Sequence, residues 1–373
     1  MIPEKDRAGR LYRDVLAVFT RKQHLDSVQV LLNLFLHARG QPLPQLAKVK
    51  SPAAISRFLN HYDWNLRAII RAMRTDALEQ FQLYRSRVRG RSPNVELIVD
   101  MTSLPKEGKF PLLDDWMHHF NGVTGVHMVM LYISCGEVRL PWSFLIWRGK
   151  HHTSPAELAL KMLARLPPQF RQGRTALHVL ADAGFSGRKF IAGVVGLGFT
   201  VSVSIQANKV MDTGRAIRQV RRQGQAIVLK DLPQIPLWLY WVWLPTKTGR
   251  GKEKRYVVST IRWTPSTIRK KGRRRWRIEA LFKTLKSRFG LHRFGQYTRR
   301  GVLRYLCLCL LSFLLCHFQD LEDMESGRRT SPWPDWGELA SRVRLHCCGR
   351  VRLAELEAES ASIRTVLDGV LRP

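Results

Sequence analysis

Acidic residues are scarce in this sequence. Its 373 residues hold 29 Asp and Glu against 62 Lys and Arg, a formal net charge of +33. A chain so short of negative charge repels itself when folded, and a polyanionic partner is the natural explanation. Small soluble domains usually keep a net charge of roughly 2–8, so a generic basic surface fits poorly. Zinc-type spacing is missing as well. The six cysteines (Cys135, Cys307, Cys309, Cys316, Cys347 and Cys348) include no CxxC pair matched by a second, which leaves the common zinc modules without support. Three of them lie in one apolar segment and read as core thiols, a usage that fits a reducing cytoplasm. The N-terminal stretch MIPEKDRAGRLYRD lacks the apolar core of a signal peptide. The longest apolar run, Tyr305 to Cys316, is about half the length of a membrane span and is flanked by Arg304 and His317. It reads as a buried helix, and the expectation is a cytoplasmic protein with no membrane partner. There is no internal repeat and no low-complexity tract, and a hydrophobic content of 45% excludes a mainly disordered chain.

What is present is unevenly spread. Residues 201–300 hold 25 Lys/Arg and 4 Asp/Glu, whereas residues 320–373 hold 8 and 10. One stretch therefore carries most of the excess, as a binding surface would. Residues 1–90 read as a helical, DNA-binding domain, although a plain helical bundle explains the same pattern. Val28 to Leu36 is apolar and ends near Gly40 and Pro42. Ser51-Pro52 opens a second helix through Ile55, Phe58 and Leu59, and a third runs from Asn65 through Ile69, Ile70 and Met73, with Arg67, Arg71 and Arg74 between.

From residue 94 the period changes. Val95 to Asp100 predicts a strand ending in an acid. His127 to Ile133 and Val138 to Trp147 predict an antiparallel pair about the Cys135-Gly136-Glu137 turn. Ser154-Pro155-Ala156-Glu157 is a capping box opening a helix. Ala176 to Asp182 is a second strand ending in an acid, Lys189 to Val195 a helix closed by Gly196 and Gly198, and Phe199 to Ile205 a fifth strand. Three strands, a helix, a strand, a helix and a strand give the order of a ribonuclease H-like fold, α/β with a mixed sheet flanked by helices. This core is expected over residues 91–205 and 256–318. Between its two parts, residues 206–255 read as a β-rich insertion, with Ala226 to Leu229, Leu237 to Leu244 and a basic Gly-rich turn at Lys247 to Lys254. Tyr256 to Ser259 reads as its last strand, and 266–289 as one basic helix in which Gly272 marks the start or a break. Residues 319–373 form a tail with a Pro/Trp linker and a last amphipathic helix near 350–371, available for dimer or DNA contact.

The chemistry candidates are acids. An acid at the end of a buried strand costs desolvation unless paired or on a metal, yet a strand-terminal Asp also caps loops. Asp100 and Asp182 each stand in that position, and neither decides the matter alone. Glu279 lies on the basic helix with Arg275 four residues before it, Lys283 four after and Lys286 seven after. Lys271, Arg273, Arg274 and Arg277 crowd the same segment and would repel one another unless DNA phosphates lay near. Phosphodiester cleavage by in-line attack is served by two divalent cations about 3.5–4 Å apart, held by a few carboxylates. Asp114 and Asp115 follow the first acid in a loop and are poorer candidates. His118-His119 and His151-His152 read as polar loop or DNA-facing residues, since neighbouring side chains diverge. Trp238, Tyr240, Trp241 and Trp243 in the apolar strand of the insertion read as core before they read as base-stacking platforms.

Taken together, these segments resemble the DDE transposases of the IS4-like bacterial insertion sequences, over about residues 55–318. Asp100-Met101-Thr102 is similar to that family's strand ending in Asp-x-Thr, and Asp182-Ala183-Gly184-Phe185 to its second acid with Phe three residues on. Arg275, Glu279 and Lys286 stand in the signature Tyr-x2-Arg-x3-Glu-x6-Lys, whose Tyr position is Gly272 here. The resemblance implies a metal triad of Asp100, Asp182 and Glu279 holding two Mg²⁺, with Mn²⁺ as a substitute. It also implies double-stranded DNA partners (the element's terminal inverted repeats and target DNA) and a homodimer in the synaptic complex. The departure at Gly272 bears on how DNA ends are positioned, because the family's Tyr is associated with DNA contact there.

Overall fold

The computed structural model describes residues 6–37, 40, 44–88, 90, 93–171, 177–246 and 251–370. They form two compact units, Met1–Leu83 with Gly108–Asp114 and Phe282–Pro373, and Tyr84–Glu107 with Asp115–Leu281.

The first unit is helical. It begins with α1 (Arg7–Leu16), α2 (Lys22–His37), α3 (Pro52–Asn60) and most of α4 (Leu66–Arg87). The opening of α3 follows its sequence: the Ser51 hydroxyl accepts from the Ala54 N–H at 3.2 Å, and Pro52 sits where no N–H is needed. The helix α1 was not anticipated. It buries Ala8, Leu11, Tyr12 and Val15 among four charged residues, too short a pattern to stand out.

The second unit is built on one sheet. Its strands are β1 (Val95–Pro105), β2 (Met117–Phe120), β3 (Val123–Cys135), β4 (Val138–Trp147), β5 (His178–Ala181), β6 (Thr200–Ile205), β7 (Gln225–Leu229), β8 (Leu232–Pro245) and β9 (Lys252–Ser259). The spatial order is β2-β3-β1-β5-β6-β9-β8-β7, with β4 also on β3. β1, β5 and β6 are parallel, and the other pairings are antiparallel. This mixed sheet with flanking helices is the ribonuclease H-like core. The strands of the expected insertion pair onto it through β9, which lies antiparallel to β6. Of the basic Gly-rich turn between β8 and β9, residues 247–250 lie outside the described residues, as does Ala176 before β5. Gly136 turns β3 into β4 at φ 58°, and a Cβ there would lie 2.0 Å from the Tyr84 hydroxyl, so only glycine fits.

Two helices cover the sheet from its middle crossovers. They are α5 (Pro155–Ala164), with the Ser154–Glu157 capping box formed, and α6 (Arg188–Gly196). The basic segment after β9 is two helices, α7 (Pro265–Arg275) and α8 (Arg277–Ser287). The sequence suggested Gly272 as the start or break. The helix instead starts at the Thr264 cap with Pro265 and breaks at Trp276, while Gly272 stays helical. The last two helices complete the first unit: α9 (Arg299–Glu325) and α10 (Trp336–Val370), the latter kinked at Cys348. By length and hydropathy α9 could cross a membrane, yet 94% of its apolar window is buried. It packs against α1, α2, α3 and α10, as a core helix. Cys307, Cys309 and Cys316 are buried within it, and the cysteines are unbridged among the described residues.

Candidate active site

Strand register brings the first two acids together. β1 and β5 pair in parallel, and the last matched pair is Val99 opposite Ala181. The next residues are Asp100 and Asp182, so the carboxyl edge of this pair carries two carboxylates side by side. Beyond it the chains part. β1 does not end at Asp100 as expected but runs on to Pro105, held by β3, with Asp100 opposite Met130. The chain after β5 turns instead into a short 3-10 segment, Ala183–Phe185, capped by the Asp182 carboxylate accepting from the Gly184 N–H at 3.0 Å.

The third acid comes from the helices over this edge. Arg275 ends α7 and Glu279 lies in the first turn of α8. The Arg275 guanidinium bridges the set, with Nη1 3.6 Å from Asp100 Oδ2 and Nη2 2.7 Å from Glu279 Oε1. Electrostatics ties the three together. Burial, then the nearby Asp182 charge, pushes Asp100 up to about 7, against the pull of the Met101 N–H and Arg275. Asp182 is also raised, by burial first, and Glu279 adds to both shifts.

Carboxylate oxygens that raise one another's proton affinity form a hard-donor set short of positive charge, the chemistry that suits Mg²⁺. Among the described residues no group of three His, Cys, Asp or Glu side chains is drawn close enough to form a metal cage. Arg275 supplies the positive charge between Asp100 and Glu279. The donor types thus fit a divalent cation, while their present spacing is the one set by the guanidinium.

Three other basic residues of this segment are engaged away from the acids. Lys271 and Arg274 turn to Glu96, with Nζ at 3.6 Å and Nη1 at 2.8 Å from Oε1. Arg277 donates to Ser134 Oγ at 2.7 Å and to the Gly136 carbonyl at 3.0 Å. These contacts pin α7 and the start of α8 to β1 and the β3–β4 turn, which sets where Arg275 and Glu279 stand. Arg273 is exposed. Lys283 and Lys286 follow Glu279 on α8, the first exposed and the second half-buried, with burial lowering the Lys286 pKa. The sequence reading missed Glu96. Its signal was a carboxylate inside the apolar run Val95 to Val99, and it is 1% exposed.

A cleft of about 990 Å³ opens beside the acids, lined by Asp182, Gln206, Arg255, Arg275 and Trp276 among others. Trp276 is 54% exposed there, and a Cβ built on Gly272 meets nothing within 4 Å. Of the aromatics on β8, Tyr240 is core, its hydroxyl bound to the backbone of Trp263, whereas Trp243 is exposed beneath Lys254. His118 and His119 lie on β2 rather than in a loop, and bind the Asp115 carbonyl and Thr124 Oγ1. Asp115 is taken up by Arg148.

The sequence from residue 91 to 315 matches the family model described as the transposase DDE domain. This chain belongs to the transposase DDE domain family. The matched stretch contains Asp100, Asp182, Arg275, Glu279 and Lys286. In fold, the chain is similar to a piggyBac transposase solved by cryo-EM as a synaptic complex with hairpin DNA. The TM-score is 0.56 at 10% identity, over 100% of this chain and 84% of that one. No protein of curated function matches the sequence. The DDE domain therefore rests on the family match, and the likeness to piggyBac is one of fold.

Proposed function

We propose that this chain is the transposase of an IS4-like bacterial insertion sequence, cutting DNA at the element's ends and joining the freed 3′ ends to target DNA. The observation that carries the reading is the register that sets Asp100 and Asp182 side by side, with Glu279 linked to Asp100 through Arg275. In this reading the three acids hold two Mg²⁺ ions, for which Mn²⁺ substitutes. Bound there, the metal would supply charge to stabilise the attacking and leaving oxygens. The protein's own part is to hold the carboxylates on a sheet edge and a pinned helix, to be drawn together once Arg275 leaves them. Arg275 is poised to pass from carboxylate to phosphate, a bidentate exchange suited to guanidinium. The raised pKa of Asp100 means that the site gains its full negative charge only near or above pH 7 unless a cation is bound.

Two element ends must meet for strand transfer, so the working complex is read as a homodimer on terminal inverted repeats. The hairpin DNA belongs to the piggyBac complex; the same step here is part of the proposal only as a product to look for. The test is a plasmid carrying the gene with its native flanks, incubated with Mg²⁺ and either wild type or Glu279→Ala. Cuts at defined flanking ends by wild type alone support the reading. Binding without cutting by either protein would leave a DNA-binding protein of the same fold.

A further inference from the structure

A second cleft, of about 510 Å³, opens in the sheet unit toward the amino end of β1. Lys270, Lys271, Arg274 and Arg277 line it, with Glu96 as the one acid among the described lining residues. Glu96 sits four residues before Asp100 on the same face of β1, about 13 Å away at ~3.3 Å per residue. The two clefts therefore lie along one helix, and Lys271 lines both. Glu96 and Lys271 are 1% and 6% exposed, so the charges are built into the wall rather than solvated on a surface. Burial lowers the Lys271 pKa, against the pull of Glu96. Among the described residues the buried Trp263 Nε1 has no hydrogen-bond partner, and Lys271 lies over the same ring at 4.7 Å.

We propose that this cleft is a second phosphate-binding site, which takes the DNA backbone about 13 Å from the acids. The inference rests on the DNA-processing reading above. Among the described lining residues, four cations against one carboxylate leave a surplus of positive charge. Nothing in the cleft reads bases. Its contribution is to affinity and register, equal for all sequences. Glu96 holds Lys271 and Arg274 in place and at the same time repels the incoming phosphate.

That double role separates this proposal from a purely structural one. Binding of a duplex of unrelated sequence is measured by fluorescence anisotropy across a salt series, on the full chain, for wild type, Lys270→Gln/Arg274→Gln and Glu96→Gln. Each lost phosphate contact lowers the slope of log affinity against log salt by about 0.9. The double variant should lose about 1–2 in slope and bind about 10-fold more weakly at moderate salt, equally on element ends. Glu96→Gln should bind more tightly than wild type. A cluster that merely pins α7 predicts lower melting temperatures with unchanged slopes in all variants, and that result overturns the proposal. If Arg274→Gln does not fold, Lys270→Gln alone, at an exposed position, should still lose about 1 in slope. Inorganic phosphate distinguishes the sources. If it raises the melting temperature of wild type only, while DNA slopes stay unchanged, the occupant is a small phosphate and the backbone assignment falls. The slopes are read without any cleavage, so a chain that shows them but never cuts would sink the transposition reading and leave the cleft standing.

Discussion

At the scale of single residues, the site stores unfavourable free energy in its acids. Burial holds the Asp100 carboxyl up at about 7 in the folded chain, well above the ordinary carboxylate range. The folded chain keeps that proton through a range where the unfolded chain has lost it. The group's favourable contribution is therefore fully present below about pH 4 and lost as pH rises toward 7. Asp100→Asn should accordingly raise stability at pH 8, on the order of 2 kcal/mol, and flatten the dependence of melting temperature on pH between 4 and 7. The same substitution should abolish cutting. A variant that melts lower than wild type at pH 8 would contradict the burial argument. Arg275→Ala should raise the Asp100 pKa further, because the nearest cation is gone. A carboxyl-resolved NMR titration would show the direction.

At the scale of elements, caps and pins decide where helices begin and which way they face. Arg304 is the clearest case. It is 2% exposed, donates to the carbonyls of Leu59, Tyr62 and Trp64, and lies over the Trp64 ring at 4.1 Å. It closes the otherwise orphaned carboxyl end of α3 and the turn into α4. Arg304→Ala should cost about 3–5 kcal/mol, because it leaves buried carbonyls unpaired and a hole beside Trp64. Ser154→Ala removes the capping box of α5 and should cost only about 1 kcal/mol. Urea melts of the two variants side by side test the ranking. Caps of this kind were legible from sequence: Ser51-Pro52 and Ser154-Pro155-x-Glu157 gave their helices correctly because the signal is local. The break at Trp276 was not legible. It follows from anchoring α7 through Lys271 and Arg274 to Glu96, and α8 through Arg277 to the β3–β4 turn, contacts 141 or more residues apart in no local pattern.

At the scale of the whole molecule, charge is the leading fact. A net +33 predicts DNA binding dominated by release of counterions. With six or more phosphates engaged, affinity should fall by about 10³ or more between 50 and 200 mM salt. A flat salt dependence would mean that the basic excess serves something other than DNA. The helix α9 shows how whole-molecule context overrides an element's own composition. Its 27 residues would pass as a membrane helix by hydropathy, but α1, α2, α3 and α10 enclose it.

Sequence alone determined the order of β1, β3, β4, α5, β5, α6 and β6, the basic excess and the three acids as candidates, because each is written in local period or composition. It could not say that Asp100 lies inside a strand and not at its end. That depends on β3 carrying β1 past the point where β5 stops. Nor could it divide the basic segment between two clefts. Consecutive residues on a helix point about 100° apart, so Arg274 meets Glu96 while Arg275 meets Asp100. Which cation serves which carboxylate was a matter of tertiary packing, decided by the face α7 turns to the sheet.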